Sequence, residues 1–212
     1  MESTNPEQDP ADLGPQASLE QCFENKEDIC GFGDNLGKDT AANRTHYDSY
    51  ASKYDKIQEV TGFNDPSMIV KYLVDNNVRK ESKIIDFGCG TGILGVELYK
   101  AGYKTITGVD GSPQMLEEAM KKKVDGQQVY QNGYCCLIGA EALEGPEDGV
   151  FDIAVSSACM IKGHFPNNCF DTFLQFMKVG ALMVFSIRDI YINSETDSGM
   201  NYHGALAERE KS

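Results

Sequence analysis

Ile84-Ile85-Asp86-Phe87-Gly88-Cys89-Gly90-Thr91-Gly92 is the stretch that decides the fold. The apolar run Lys83–Phe87 reads as a buried strand, and it stops at three alternating glycines. Glycine there allows unusual backbone angles and lets the main chain approach a ligand with no Cβ in the way. Free N–H groups at the start of the next helix suit an anionic or polar group. Gly92–Ala101 reads as that helix, with Gly102 as its C-terminal stop.

Working downstream, Thr105–Asp110 reads as a second strand and Ser112–Lys123 as a helix, with Ser112 as N-cap and Pro113 at its first position. Gln128–Ile138 holds a third strand and Phe151–Ser156 a fourth. Asn168–Met177 is a further helix and Ala181–Ile187 a fifth strand. Strands alternating with helices imply right-handed βαβ units, hence an α/β fold with a Rossmann-like, doubly wound, mostly parallel sheet.

Working upstream, Tyr47, Tyr50, Ala51 and Tyr54 form a helical stripe, which predicts an amphipathic entry helix over Thr45–Lys56. After a turn at Thr61–Pro66, a second helix runs from Asp65 to about Asn76. Asp65 is its N-cap, Pro66 its first residue, and Met68, Ile69, Tyr72 and Leu73 its apolar face.

Residues 1–40 carry ten acidic and two basic residues with few apolar ones, and read as an acidic, mostly disordered leader with one short helix around Ser18–Asn25. A domain over residues 41–190 follows, then a polar tail over 191–212. The 212 residues suffice for one such domain. No secretory leader or stretch of about 18–20 apolar residues is present, so no membrane span is expected.

The net charge of −14 opposes binding to nucleic acid. The one dense basic run, Lys121–Lys123, reads as a solvated helix end. Seven cysteines without a CxxC pair, and three scattered histidines, give neither a disulfide framework nor a zinc site. Reduced thiols in the cytoplasm are the simpler reading, and no metal is expected.

Asp110 ends the second strand 24 residues beyond Asp86. A carboxylate there can accept both hydroxyls of a ribose. The competing reading is an acid capping the Ser112–Lys123 helix.

Taken together, Asp86-x-Gly88-x-Gly90-x-Gly92 and Gly108-Val109-Asp110-Gly111-Ser112-Pro113-x-Met115-Leu116 resemble the class I S-adenosylmethionine-dependent methyltransferases. Tyr47-Asp48-x-Tyr50-Ala51-x-x-Tyr54-Asp55 is similar to the entry helix of the Williams–Beuren region methyltransferase-like group, as is Val109–Leu116. The resemblance covers about residues 45–190 and implies S-adenosyl-L-methionine as cofactor.

By that resemblance Asp86 organises the turn and holds the methionine amino group through the backbone or a water. Gly88, Cys89 and Gly90 face the methionine portion and Gly92 closes the motif, while Asp110 takes the ribose. Gly111, Ser112 and Met115 line the adenine pocket. Tyr54 covers the cofactor from the entry helix, with plain core packing as the equal alternative.

The sequence departs from the family pattern in three places. Gly139 of Gly139-Ala140-Glu141 stands where many members carry an acid for the adenine amino group, leaving the Ala140 N–H or Glu141 to hold it. Lys178-Val179-Gly180-Ala181 replaces the usual Lys-Pro-Gly-Gly turn. The antiparallel hairpin after strand five is missing, so the chain reads as truncated, with an apolar edge at Leu182–Ile187.

Methyl transfer at an activated sulfonium draws much of its rate from proximity, so no catalytic residue is assigned. Ser156 and Ser157 at the end of strand four, and His164 in the following loop, are the candidates near a transfer site. His164 is either a general base or a surface loop residue. Cys159 and Cys169 read as buried small residues, and Phe170, Phe173 and Phe176 as core.

The expected partner is a small-molecule or protein methyl acceptor, with the oligomeric state undetermined. Two other readings stand: a cofactor-binding pseudoenzyme or truncated isoform, and a nicotinamide-dependent oxidoreductase. The latter's third glycine would fall at position 93, where Ile93 stands.

Overall fold

A computed structural model describes residues 40–187, 192 and 200–209. The acidic leader, its short helix and most of 188–199 lie outside the described residues.

Two helices open the fold, α1 (Thr40–Thr61) and α2 (Asp65–Asp75). Then come β1 (Lys83–Phe87), α3 (Ile93–Lys100), β2 (Thr105–Asp110) and α4 (Pro113–Lys121). A small antiparallel pair, β3 (Lys123–Val124) and β4 (Gln127–Gln128), precedes β5 (Asn132–Cys135). The chain continues through β6 (Phe151–Met160), α5 (Cys169–Phe176), β7 (Met177–Ile187) and α6 (Tyr202–Arg209).

Five parallel strands lie in the order β5-β2-β1-β6-β7. The chain runs outward from β1 through β2 to β5, then crosses back to β6 and β7. This is the doubly wound α/β arrangement expected, whose C-terminal strand ends form a crevice where the winding reverses.

β1 is apolar without alternation because both its faces are covered. Ile85 and Phe87 point into one core with Phe151, Phe170, Phe173 and Phe176, and the Phe87 and Phe173 rings stack at 4.3 Å. Ile84 points into the other with Leu73, Leu98, Ile106, Leu116 and Ala119.

The capping signals were read well in two helices. Gly102, at φ +104°, closes α3: its N–H donates to the Tyr99 carbonyl and that of Tyr103 to Leu98, the paired bonds of a Schellman stop. Ser112 caps α4 by accepting from the Met115 N–H at 3.1 Å.

Several boundaries differ. The entry helix runs over Thr40–Thr61 rather than Thr45–Lys56. The cap position of α2 is Asn64, which makes Asp65 the first helical residue. On its face Ile69 and Leu73 are buried, but Met68 and Tyr72 are 60% and 47% exposed, because the stripe against the sheet is narrower than the apolar pattern.

The third strand shrinks to Asn132–Cys135, since Lys122–Gln128 doubles back into a hairpin at Asp125-Gly126. The Lys178–Ala181 turn lies inside β7 as an irregularity, with Gly180 at φ +78° and Val179 fully exposed.

The tail also changes. Residues 200–209 are not a polar extension beyond the domain: Met200, Tyr202 and Ala205 are buried against the Phe170 cluster. The Tyr202 hydroxyl donates to the Phe165 carbonyl at 2.5 Å, and Arg209 binds both oxygens of Asp171 at 2.6 Å. The polar residues of this segment face out, which hid its one apolar stripe.

Candidate functional site

One cleft opens over the C-terminal ends of β1, β2, β5 and β6, roofed by α1. The glycine turn forms its floor. Gly88 and Cys89 donate their N–H groups to the Val109 carbonyl at 2.7 and 3.0 Å, tying the turn to the end of β2.

The three glycines do different work. A Cβ on Gly88 would lie 2.4 Å from the Cys159 sulfur, so this glycine admits the end of β6. A Cβ on Gly92 would lie 2.9 Å from the Tyr130 ring and 3.2 Å from the Ala119 backbone, so this one packs helix against sheet. Only at Gly90 does the Cβ direction meet no described atom within 4 Å; it opens on the cleft.

Asp110 braces this floor. Its two oxygens accept the Gly90 and Ser112 N–H groups, each at 2.8 Å. Burial raises its carboxyl to about 6, against the lowering effect of those two bonds. The cap of α4 is Ser112, so Asp110 is not the helix cap. A carboxylate offers about four lone-pair sites, which leaves capacity for a diol.

Asp86 supports the turn from below. It is fully buried, does not line the cleft, and accepts the Tyr130 hydroxyl at 2.7 Å. Burial lifts its carboxyl to about 7, with the Tyr130 bond opposing the rise. Tyr130 in turn fills the space left by Gly92, Gly95 and Gly108. Asp86 therefore organises the turn from beneath, and a ligand in the cleft meets backbone rather than this side chain.

The adenine segment is also shifted. Cys136, Leu137 and Ile138 line the cleft, and Gly139, Ala140 and Glu141 do not. The Ala140 N–H is spent on the Leu137 carbonyl at 3.0 Å. The Glu141 carboxylate accepts the Leu137 N–H at 2.8 Å and pairs with Arg44 at 2.9 Å, which holds it below the usual carboxylate range, the Leu137 bond first. Gly139 takes φ +81°, and a Cβ there would meet Pro166.

Among the remaining expected residues, Tyr54, Cys89, Gly111, Ser112 and Met115 line the cleft. Ser156 lies below it, buried, and the neighbouring Ser157 lines it instead. His164 is not a plain surface residue: it lines the cleft and pairs with Tyr47, Oη to Nε2 at 2.7 Å. Burial raises the Cys89 and Cys159 thiols well above their ordinary value, so both are protonated and neither is a nucleophile at neutral pH.

The roof was missed. Arg44, Asp48 and Asp55 share one face of α1 and fasten it to three loops. Arg44 Nε donates to the Gly111 carbonyl at 2.6 Å. Asp48 accepts the Ser112 hydroxyl at 2.5 Å. Asp55 accepts the Thr91 hydroxyl at 2.5 Å and pairs with Lys122. The spacing of 44, 48 and 55 signals one helix face, but charged residues on a helix ordinarily read as its solvated side, beside the tyrosine stripe that packs.

Comparison with known proteins agrees with this geometry. A family model described as a methyltransferase domain matches residues 58–211. The human methyltransferase-like protein 27 is 32% identical over 170 residues, 79% of this chain and 64% of that protein. A demethylmenaquinone methyltransferase of Staphylococcus aureus is 33% identical over 110 residues, 50% of this chain and 43% of that one. The chain thus spans less than two thirds of the length of these relatives. In fold, it resembles a TehB-like SAM-dependent methyltransferase from Corynebacterium glutamicum, with TM-score 0.55 and 16% identity over 79% of this chain and 82% of that one.

Proposed function

This chain belongs to the methyltransferase-domain family, and on that premise we propose that it transfers a methyl group from S-adenosyl-L-methionine to a small-molecule or protein acceptor. The observation that carries the reading is the paired floor of the cleft: the open Gly90 position beside the Asp110 carboxylate. The residues present fit the cofactor. Asp110 has lone pairs for a ribose diol, and Met115, Leu137 and Ile138 make an apolar slot for a purine ring. The rings of Tyr47 and Tyr54, 6.1 Å apart, offer π-faces to a sulfonium.

Bound there, the cofactor supplies a methyl group on a positively charged sulfur. The chain's own part is alignment. The turn fixes the depth of the ligand, Asp110 its ribose, and α1 excludes water from above. Tyr54, named from the sequence as a cover or as core packing, lines the cleft from α1, which supports the cover reading.

The nicotinamide reading loses its ground with family membership. Among the described residues no helix is long and apolar enough to cross a membrane and no group of metal ligands occurs. The adjacent Cys135 and Cys136 are both free thiols, which favours a reducing compartment such as the cytoplasm. The acidic charge disfavours nucleic acid as acceptor.

Thermal unfolding with S-adenosylmethionine, S-adenosylhomocysteine and NAD tests the proposal. The first two should raise the melting temperature and NAD should not. A rise with NAD alone, or with none, would refute it.

A further inference from the structure

We propose that Tyr47 and His164 form a proton-accepting pair at the acceptor end of the cleft, and that the group methylated there is the hydroxyl of an uncharged, flat small molecule. The inference rests on the methyltransferase reading above and names its substrate class.

The pair joins distant parts of the chain. Tyr47 comes from α1 and His164 from the loop after β6, and their rings meet edge-on at 5.5 Å. Asn43 holds that loop to α1, its Nδ2 donating to the Gly163 carbonyl at 2.5 Å. The end of β6 brings Cys159, and the same loop Phe165, against Gly88, so this end of the cleft adjoins the first glycine of the turn.

Charge decides the acceptor class. The side chains that line the cleft around the pair are Asn43, Tyr54, Ser157, Cys159 and Phe165, none of them ionised at neutral pH, while the His46 ring, outside the lining, packs edge-on against Tyr47. The charged residues lining the cleft are Arg44 and Asp110, and both are committed elsewhere. Arg44 is bound to the Gly111 carbonyl and Glu141, and Asp110, braced by two backbone N–H groups, gives its remaining lone pairs to the ribose on the reading above. An ammonium would find no carboxylate here, and an anion no cation. Burying an unpaired charge costs several kcal/mol, roughly. The ring edges of Tyr47, His164 and Phe165 suit a flat, apolar body carrying one hydroxyl.

The pair can take up a proton. Burial holds the Tyr47 phenol well above its ordinary value, with Tyr54, Cys159 and Asp110 adding to the rise. Burial also lowers His164, helped by the facing His46 and opposed by a backbone contact at Lys162. At neutral pH the phenol keeps its proton and the imidazole is uncharged.

Tyr47 Oη accepts the acceptor's O–H proton while passing its own proton to His164 Nε2. The acceptor oxygen uses its freed electron pair to bond the methyl carbon, and the pair of the broken C–S bond stays on sulfur. The imidazolium then releases the proton to solvent.

The test uses the full chain with labelled tyrosine and histidine, with and without S-adenosylhomocysteine, titrated with phenol, butylammonium and butyrate and followed by NMR. Phenol should move the Tyr47 and His164 signals, and both charged probes should bind about 10-fold more weakly or worse. Tyr47→Phe and His164→Asn should each weaken phenol about 10-fold, and Tyr47→Phe should raise the His164 titration midpoint. Phenol leaving these signals unmoved, charged probes binding equally well, or folded variants binding phenol unchanged would overturn the proposal. Calorimetry with S-adenosylhomocysteine alone reads the parent function separately.

Discussion

Asp86 offers a perturbation whose sign can be worked out in full. Its carboxyl has no exposed surface; one oxygen accepts from Tyr130, and the other has no hydrogen-bond partner among the described residues. Burial raises it from 3.8 to about 7. A group raised on folding contributes stability that is fully present below the unfolded value and is lost as pH climbs through the folded one. At about 1.4 kcal/mol per pH unit, the whole contribution is about 4 kcal/mol, of which about 3 kcal/mol falls between pH 5 and pH 8.5. Asp86→Asn keeps an acceptor for Tyr130 and abolishes the titration. Its amide N–H₂ replaces the unpartnered oxygen, at a cost of about 1–3 kcal/mol at every pH.

Urea unfolding of the cofactor-free chain and the variant at both pH values reads this directly. The variant should be no more stable than the parent chain at pH 5. It should gain on the parent by about 3 kcal/mol at pH 8.5, groups common to both cancelling in the difference. Stability curves that stay parallel from pH 5 to 8.5 would refute the raised, buried acid.

Three further outcomes follow from the geometry. Gly92→Ala, which drives a Cβ into Tyr130 at φ +89°, should destabilise the fold by about 2–3 kcal/mol. Gly90→Ala, facing open space, should instead weaken S-adenosylhomocysteine about 10-fold by calorimetry with only about 1 kcal/mol lost from the fold; equal effects at the two glycines would contradict their assignment. Asp55→Ala frees Thr91 and Lys122 from α1 and should speed S-adenosylhomocysteine release severalfold in stopped flow, an unchanged rate arguing against α1 as roof. Tyr202→Phe leaves the Phe165 carbonyl short of a donor and should cost about 1–3 kcal/mol in chemical unfolding, whereas no loss would argue against the docking of α6.

Much of the fold was legible because its signals are local. β1 and β2 carry their own apolar runs, Gly102 and Ser112 their own caps, and the alternation of strand and helix forces a parallel sheet. The docked α6 was not legible, since only Tyr202 and Ala205 within the helix carry its burial. Within the site, the pairing of Asp110 with the glycine turn could be read from spacing. The shift from Gly139–Glu141 to Cys136–Ile138 could not, because it depends on Glu141 turning back to the Leu137 N–H and on Arg44, 97 residues away. The partner of Asp86 was hidden for a related reason: Tyr130 comes from the loop before β5, and only packing reveals that three glycines make room for that ring.

The central claim is that the floor of the cleft, Gly90 with Asp110, holds S-adenosyl-L-methionine. Calorimetric titration of the chain with this cofactor and with S-adenosylhomocysteine, beside Asp110→Ala, tests it most directly. Binding at one site per chain should fall by about 10- to 100-fold in the variant, the loss of hydrogen bonds to one charged group, while circular dichroism shows both folded. No binding to the folded chain, or equal affinity in the two proteins, would contradict the account.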